Sequence, residues 1–342
     1  MPHFSIEATP LNLNLRHTFS ISRGSKKTAR NILVRLRGDD GVTGLGEAAP
    51  NERYNEDQGK VLEGLQNLPG DLLDDIEAGT ELTRRLDETL PGLQSAKAAV
   101  EMAWLDWRTQ KEGVPLWKYF KSASNTGPVT SYTIGLDTIE QMQQKAAQAG
   151  PYPILKVKLG TERDRDIIRA LREVTDKPIR VDANEGWRTL KEAMAMVEFL
   201  ADHNVELVEQ PMPAAQTKDM AELKRVSRLP LLADESFTGK ENMEEIAKAF
   251  DGINIKLMKT GSVLRARTYI RHAKELGLSV MVGCMIESSI ANTAAAHIAL
   301  QADYADLDGH LLVEGDPFKG LQLDSQKRIH LPDRPGLGVI SV

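Results

Sequence analysis

The pattern of hydrophobic and polar residues changes near residue 56. Before that point FSIEATPLNLNL (4–15) and NILVRLRGDDGVTGLGEAAP (31–50) are rich in strand-forming residues, and GDDG (38–41) is a turn sequence, so we predict an antiparallel meander. After it, apolar positions recur at three and four residues, which predicts helices in EDQGKVLEGLQNL, GTELTRRLDETL and SAKAAVEMAWLDWRTQKEG. Strands followed by helices predict an α+β domain over residues 1–125.

A regular alternation of strands and helices is predicted after residue 125. Apolar segments recur about every 22 to 28 residues, each followed by a charged amphipathic stretch: VTSYTIG, PILKVKLG, PIRVDAN, VELVEQP, PLLADES, GINIKLMK, LSVMVGC and YADLDGH. Eight strands alternating with helices predict a closed parallel barrel rather than an open doubly wound sheet, and no glycine-rich nucleotide motif follows any strand. We assign the barrel to residues 126–315 and expect residues 316–342 to return to the first domain.

Composition narrows the class of partner. The 342-residue chain has 43 basic and 49 acidic residues and a net charge of -6, which argues against nucleic-acid or membrane binding and favours a small-molecule partner. Its single cysteine, Cys284, excludes an internal disulfide. The first residues do not resemble a signal peptide, and no apolar run approaches the roughly 18 residues of a spanning helix, so we expect a cytoplasmic protein.

Charged residues collect at the C-terminal ends of the predicted barrel strands, where barrel enzymes place catalytic groups. In chain order these ends carry Lys156 and Lys158, Asp182 and Asn184, Glu209, Asp234 and Glu235, Lys256, and Asp306 and Asp308. Each carboxylate alone also suits a helix cap or a turn. Helix capping does not explain why three successive strands end in a carboxylate and the strands on both sides of them end in a lysine.

The three central carboxylates predict a metal site. Asp182, Glu209 and Asp234 would repel one another unless a cation lay between them. Oxygen-only ligands favour Mg²⁺, with Mn²⁺ as an alternative, and no histidine or cysteine spacing indicates zinc.

The lysines predict proton transfer. Lys156 and Lys158 share one face of a strand, so the charge of Lys156, together with the metal, should depress the pKa of Lys158 from about 10.4 toward neutrality and make it a base. On the sixth strand, alternation places Lys256 inward and Lys259 out of phase. A substrate on the metal would then have one lysine on each side.

These residues resemble the muconate-lactonizing subgroup of the enolase superfamily, through KVK, VDAN, VEQP, ADES and IKLMKTGS. The resemblance covers essentially the whole chain and implies a modified (β/α)7β TIM-type barrel with an α+β capping domain. It also implies one Mg²⁺ per subunit on Asp182, Glu209 and Asp234, catalytic Lys158 and Lys256, and a supporting Lys156. Ser262 in TGS departs from the two glycines of many relatives and is expected not to affect the chemistry.

The eighth and seventh strands resemble dipeptide epimerases within that subgroup. Asp306 and Asp308 match the Asp-x-Asp by which those enzymes hold the α-ammonium group of a dipeptide, although two turn-forming aspartates before Gly309 would look the same. In GCMIESSIA, Cys284, Met285 and Ile286 are expected to contact the dipeptide backbone. The implied reaction is a two-lysine 1,1-proton transfer through an ene-diolate, a chemistry typical of enolase-type sites.

Several alternatives stay open. A cycloisomerase, an o-succinylbenzoate synthase or an N-acylamino acid racemase would share the core residues but give no reason for the Asp-x-Asp. A non-catalytic peptide-binding protein would need the aspartates but not the two opposed lysines, and an inactive structural barrel would bind no metal. A homo-oligomer is compatible with the sequence.

Substrate preference is assigned to two loops of the capping domain that are expected to close over the mouth of the barrel, SISRGSKKTARN (20–31) and APNERYNED (49–57). Arg23 and Lys26, with further cations beside them, favour an acidic second residue and thus an L-Ala-D/L-Glu-type dipeptide. Simple solvation of these cations is an equal alternative. Arg53 and Tyr54 are candidate contacts in the second segment, whose mixed charges could also serve a basic side chain.

Overall fold

The computed structural model describes residues 3–76 and 78–342. The chain begins with a three-stranded antiparallel sheet in the order β1-β2-β3, as the alternation predicted. Its strands are β1 (Phe4–Ile21), β2 (Gly24–Gly38) and β3 (Thr43–Ala48). Because β1 and β2 form one long hairpin, residues 20–31 belong to strands and a tight turn, where the sequence predicted a loop.

Helices cover this sheet at the predicted places. They are α1 (Gln58–Gln66), α2 (Gly79–Thr89), α3 (Gln94–Lys111) and the short α4 (Leu116–Tyr119). The helix α3 packs so closely on β3 that a Cβ at Gly44 or Gly46 would lie 1.9 Å from a carbonyl oxygen of α3. These two glycines therefore allow the helix to contact the strand backbone.

Eight parallel strands form the barrel, and all eight predicted segments are confirmed. After β4 (Thr126–Val129) they are β5 (Tyr132–Ile134), β6 (Leu155–Lys158), β7 (Ile179–Asp182), β8 (Val205–Glu209), β9 (Leu231–Ala233), β10 (Gly252–Ile255), β11 (Ser279–Gly283) and β12 (Tyr304–Asp306). Each pairs with its neighbour in chain order. A bridge between Thr130 and Ala305 joins the first and last strands, so the barrel is nearly closed.

Helices connect the strands on the outside of the barrel. They are α5 (Ile139–Gln148), α6 (Asp164–Arg172), α7 (Leu190–Ala201), α8 (Thr217–Val226), α9 (Met243–Ala249), α10 (Leu257–Thr260), α11 (Val263–Glu275) and α12 (Ser289–Ala299). Several begin at a residue whose side chain accepts a hydrogen bond from a backbone N–H, among them Thr138, Thr189 and Ser262. No helix within 3–76 and 78–342 is long and apolar enough to cross a membrane.

The C-terminal residues contact both parts of the fold. Their strands are β13 (Phe318–Lys319), β14 (Gln322–Leu323), β15 (Arg328–His330) and β16 (Ile340–Ser341), and β15 pairs with β4 at the start of the barrel. The N–H of Gly336 donates to the carbonyl of Val114, and its own carbonyl accepts from the N–H of Leu116 at the start of α4. The N–H of Leu337 donates to Asp106 of α3. The boundaries 1–125, 126–315 and 316–342 stay a prediction.

Candidate active site

Three carboxylates meet at the C-terminal ends of neighbouring barrel strands. Asp182 ends β7, Glu209 ends β8, and Asp234 follows β9 directly. Their exposed fractions are 0%, 0% and 2%, and one oxygen of each lies within 4.8 Å of the others. Burial, with Asp182 as the next largest contributor, raises the pKa of Glu209 to about 8. The carboxyl group of Glu209 therefore resists ionisation. A nearby divalent cation would stabilise its charged form, and three buried carboxylate oxygens fit a hard cation of this kind.

Three buried lysines approach this triad. Lys156 Nζ lies 2.6 Å from both Glu209 Oε2 and Asp306 Oδ2, at the centre of the group. Lys158 Nζ is 2.6 Å from Asp182 Oδ2, and Lys256 Nζ is 2.7 Å from Asp234 Oδ2. Lys158 and Lys256 therefore contact opposite ends of the row of carboxylates.

The carboxylates favour the charged form of Lys156 and Lys256. Burial lowers the pKa of Lys256, but the charges of Asp234 and Glu209 outweigh burial and hold that pKa well above its ordinary value. Burial also lowers the pKa of Lys156, but the charges of Asp306 and Glu209 outweigh burial and raise this pKa overall. A cation bound beside these carboxylates would offset their charge and so favour the neutral form of Lys156 and Lys256.

The two aspartates of the Asp-x-Asp are buried and differ in their partners. Asp306 ends β12, whereas Asp308 lies beyond the strand, at the start of a 3₁₀ helix, so only the first is a strand residue. Asp306 accepts hydrogen bonds from Ser131 Oγ at 2.7 Å and from Lys156 Nζ at 2.6 Å. Asp308 Oδ2 accepts from the N–H of Thr133 at 2.6 Å, and within the described residues it has no ion-pair partner. Burial and the charge of Asp306 raise the pKa of Asp308 to about 7. Asp308 is therefore the carboxylate better placed to receive another cation.

The segment that follows β11 lies beside these aspartates. Cys284 is partly exposed, and its Sγ donates to the carbonyl oxygen of Asp306 at 3.2 Å. Met285 is also partly exposed, whereas Ile286 is 6% exposed and its side chain packs with apolar residues of β1 and β2. Side-chain contact with a ligand is thus open to Cys284 and Met285, and Ile286 offers mainly its backbone.

Comparison with known proteins places the chain in a family. Residues 5–120 match the sequence family described as mandelate racemase / muconate lactonizing enzyme, N-terminal domain, and residues 137–340 match enolase C-terminal domain-like. The chain belongs to the enolase superfamily. The resemblance and the barrel fold inferred from the sequence are therefore confirmed.

Two members of the enolase superfamily that are similar to this chain are named epimerases. The chain is 40% identical over 326 residues to an L-Ala-D/L-amino acid epimerase of Pedosphaera parvula, covering 92% of this chain and 93% of the relative. It is 38% identical over 334 residues to an L-Ala-D/L-Glu epimerase of Bacteroides thetaiotaomicron, covering 97% and 87%.

A solved relative also matches in structure. The dipeptide epimerase from Methylococcus capsulatus, complexed with Mg and the dipeptide L-Arg-D-Lys, superposes with a TM-score of 0.92 at 31% identity, over 99% of this chain and all of the other. The chain is thus an isomerase with the architecture of enolase-superfamily racemases and epimerases.

The predicted specificity residues lie on the capping part of this enolase-superfamily fold. Arg23, in the β1–β2 turn, donates to Glu235 at 2.6 Å and to Glu185 at 3.3 Å. Arg53 makes two hydrogen bonds to the same Glu185, both at 3.0 Å. Burial lowers the pKa of Arg23, but Glu235 outweighs burial and raises it overall. The charge of Arg23, which suggested an acidic substrate, is therefore offset by two carboxylates.

The other two predicted specificity residues have different surroundings. Lys26 lies exposed on β2 and makes no ion pair within the part of the chain that the structure describes. Tyr54 lies in a short 3₁₀ helix, and burial followed by the charge of Asp234 raises its pKa. The hydroxyl of Tyr54 consequently stays protonated.

Some residues of the site were missed by sequence reasoning. Lys259 donates to both a side-chain oxygen and the carbonyl of Asp234, although strand alternation placed it out of phase. The reason is that β10 ends at Ile255 and a helical turn begins at Leu257, which brings residues three apart to one side. Asn254 Nδ2 donates to Glu209 Oε1 at 2.8 Å, and its place on the face of Lys256 was the signal that could have identified it.

Proposed function

We propose that this isomerase is a Mg²⁺-dependent dipeptide epimerase that inverts the α-carbon of the C-terminal residue by 1,1-proton transfer between two lysines. The observation that carries this proposal is the placement of Lys158 and Lys256 at opposite ends of one carboxylate row. Two bases on opposite sides of a bound substrate are what inversion of a carbon centre requires.

Asp182, Glu209 and Asp234 would hold the metal, with one ion per subunit and Mn²⁺ as an alternative. When bound, Mg²⁺ supplies positive charge that stabilises the negative charge developing on the substrate carboxylate as the α-proton leaves. The Mg-bound complex of the Methylococcus capsulatus relative supports this choice of cation.

The lysines would move the proton. One of Lys158 and Lys256 removes the α-proton of the second residue, and the other returns a proton to the opposite face. Lys156 lies between Glu209 and Asp306, and its fixed ammonium group would lower the energy of the anion formed between the two bases. Both bases are less than 10% exposed, so the α-proton would pass to a lysine rather than directly to bulk water.

Asp306 and Asp308 would bind the α-ammonium group of the dipeptide. Lys156 already offsets the charge of Asp306, so Asp308 provides most of the attraction for a second cation. This contact separates a dipeptide epimerase from a cycloisomerase or an o-succinylbenzoate synthase, whose substrates carry no ammonium group.

For the second residue we propose glutamate, as in an L-Ala-D/L-Glu dipeptide. Because Glu235 and Glu185 offset the charge of Arg23, the candidate partner for the glutamate side chain is Lys26, which is exposed and makes no ion pair within the described residues. The relative from Bacteroides thetaiotaomicron carries this activity in its name. A basic second residue is the second candidate, because Glu235 Oε2 is buried and accepts no hydrogen bond from the described residues. The Methylococcus capsulatus complex with L-Arg-D-Lys shows that the superfamily includes such ligands.

Incubation of L-Ala-L-Xaa dipeptides in D₂O, with and without Mg²⁺, tests the proposal. We expect Mg²⁺-dependent loss of the α-proton signal of the second residue and appearance of the L-Ala-D-Xaa diastereomer, fastest for Xaa = Glu. A preference for Lys or Arg would select the second candidate. Binding of a dipeptide without exchange of its α-proton would indicate a peptide-binding protein. N-acylated amino acids are incubated in parallel, and exchange in these compounds alone would indicate a racemase of another specificity.

A further inference from the structure

The segment Cys284–Ser288 connects β11 to α12 and carries three residues proposed to contact the dipeptide. Its internal hydrogen bonds are few: the N–H of Met285 donates to Glu287 Oε1 at 2.9 Å. Further hydrogen bonds come from Asp306, from Asn292 of α12 and from the capping sheet, where Asn31 on β2 and Glu47 on β3 supply them. These two residues have no place in the mechanism above.

Glu47 is fully buried and surrounded by donors. Its carboxylate accepts from Asn31 Nδ2 at 2.8 Å, from the N–H of Ser288 at 2.9 Å, from Ser288 Oγ at 2.5 Å and from the N–H of Ala291 at 3.2 Å. The N–H groups belong to the first turn of α12, which a carboxylate stabilises. Because only acceptors fit this position, an amide in place of the carboxylate would direct an N–H at another N–H.

Asn31 connects this carboxylate to the substrate segment. Its side-chain amide is 3% exposed and uses both protons, one to Glu47 Oε1 at 2.8 Å and one to the carbonyl oxygen of Ile286 at 3.0 Å. The Ile286 side chain packs with Leu13 and other apolar residues of the capping sheet. The capping sheet thus fixes the segment at the Ile286 carbonyl, at the Ile286 side chain and at Ser288.

We propose that Asn31 and Glu47 are positioning residues that hold Cys284–Ser288 in the conformation that receives the dipeptide, an inference that rests on the proposed epimerase function. Neither residue touches the substrate. Their effect passes through the backbone of Ile286 and Ser288 to Cys284 and Met285, so substrate binding depends on two side chains of the other part of the fold.

The chain offers a matched control at the same helix terminus. Asp316 Oδ2 accepts from the N–H and Oγ of Ser289 at 2.7 and 2.8 Å, so it also stabilises the start of α12. It makes no hydrogen bond to Cys284–Ser288 within the residues that the structure describes. If the only effect were a less stable start of α12, Asp316→Asn and Glu47→Gln should change the measured properties of the protein equally. If the segment loses its position, Glu47→Gln and Asn31→Ala should change them and Asp316→Asn should not.

Cys284, the only cysteine, provides a probe that needs no catalytic activity. We would measure its rate of reaction with N-ethylmaleimide by intact mass, in the full chain with Mg²⁺. Asn31→Ala and Glu47→Gln should raise this rate about tenfold, the factor that corresponds to about 1.4 kcal/mol. Asp316→Asn should change it less than about twofold. Should Glu47→Gln fail to fold, Asn31→Ala, which leaves the carboxylate in place, still decides the question.

Kinetics separate positioning from a general structural role. In the two positioning variants KM for the dipeptide should rise about tenfold while kcat stays within about threefold, because binding and not proton transfer is affected. Unchanged labelling and KM in Asn31→Ala, or equal changes in Asp316→Asn, would overturn the proposal. If the parent protein epimerised no dipeptide, the proposed function would fail, and the labelling rates would still show whether this pair holds the segment.

Discussion

Replacement of Lys256 tests the proposed proton transfer most directly. Its Nζ lies 2.7 Å from Asp234 Oδ2, and the side chain is 8% exposed. Lys256→Met removes the ammonium group and keeps most of the aliphatic stem, so the cavity stays filled. Asp234 retains its ion pair with Lys259, and Glu209 retains its ion pair with Lys156, so the variant leaves neither of these buried carboxylates without a cation.

The expected magnitude follows from the role of a positioned base. General acid–base catalysis contributes about 10²–10⁴-fold in rate, equivalent to about 2.7–5.4 kcal/mol of activation free energy. Lys256→Met should lower kcat for epimerisation by that factor, since inversion needs a group on each face. Exchange of the α-proton should persist for one diastereomer, because Lys158 at the other end of the triad is intact.

Proton NMR in D₂O measures both quantities when each diastereomer is incubated separately. Lys256→Met should keep exchange in one diastereomer and Lys158→Met in the other, while Lys218→Met, an exposed lysine of α8, should behave like the parent. Survival of exchange in the same diastereomer for both variants would refute the two-base reasoning. So would epimerisation by either variant within about threefold of the parent rate.

Other predictions concern the metal, the ammonium site and the fold. Asp182→Asn should weaken Mg²⁺ binding at least about tenfold in titration calorimetry, because an anionic ligand is lost; unchanged affinity would place the metal elsewhere. Since the pKa of Asp308 is about 7, KM should fall as pH rises through that value, and an unchanged profile in Asp308→Asn would exclude this residue from ammonium binding. Gly46→Ala should cost about 1–3 kcal/mol or more of unfolding free energy in urea, because its Cβ would lie 1.9 Å from a carbonyl oxygen. Gly150→Ala, with 3.7 Å to the nearest atom, is the control, and equal losses would contradict the packing argument.

Local patterns were sufficient to predict the barrel and the position of its charged residues. A short apolar strand followed by an amphipathic helix needs no distant information, and the C-terminal ends of parallel strands always lie at one edge. The convergence of Asp182, Glu209 and Asp234 follows from those two facts. The role of the Asp-x-Asp did not follow from spacing and came only from the family resemblance.

Long-range pairs and local changes of backbone geometry were not predictable in the same way. Glu47 contacts Ser288, 241 positions further along the chain, and no pattern near Glu47 indicates that partner. Arg23 looked like a free cation because Glu235 and Glu185 belong to distant loops. Lys259 was misplaced because β10 ends one residue before Lys256, and alternation was extended beyond the strand.

The balance of charge in the site explains why the proposed base requires a metal. Within the described residues, four carboxylates and four lysines form one network of ion pairs: Asp182, Glu209, Asp234 and Asp306 with Lys156, Lys158, Lys256 and Lys259. In formal charges this network is neutral, and its carboxylates hold the pKa values of Lys156 and Lys256 well above the ordinary value of a lysine. A divalent cation adds two positive charges to a buried volume, and the substrate carboxylate offsets one of them. Loss of one lysine proton offsets the other, while Asp308 is left to face the substrate ammonium.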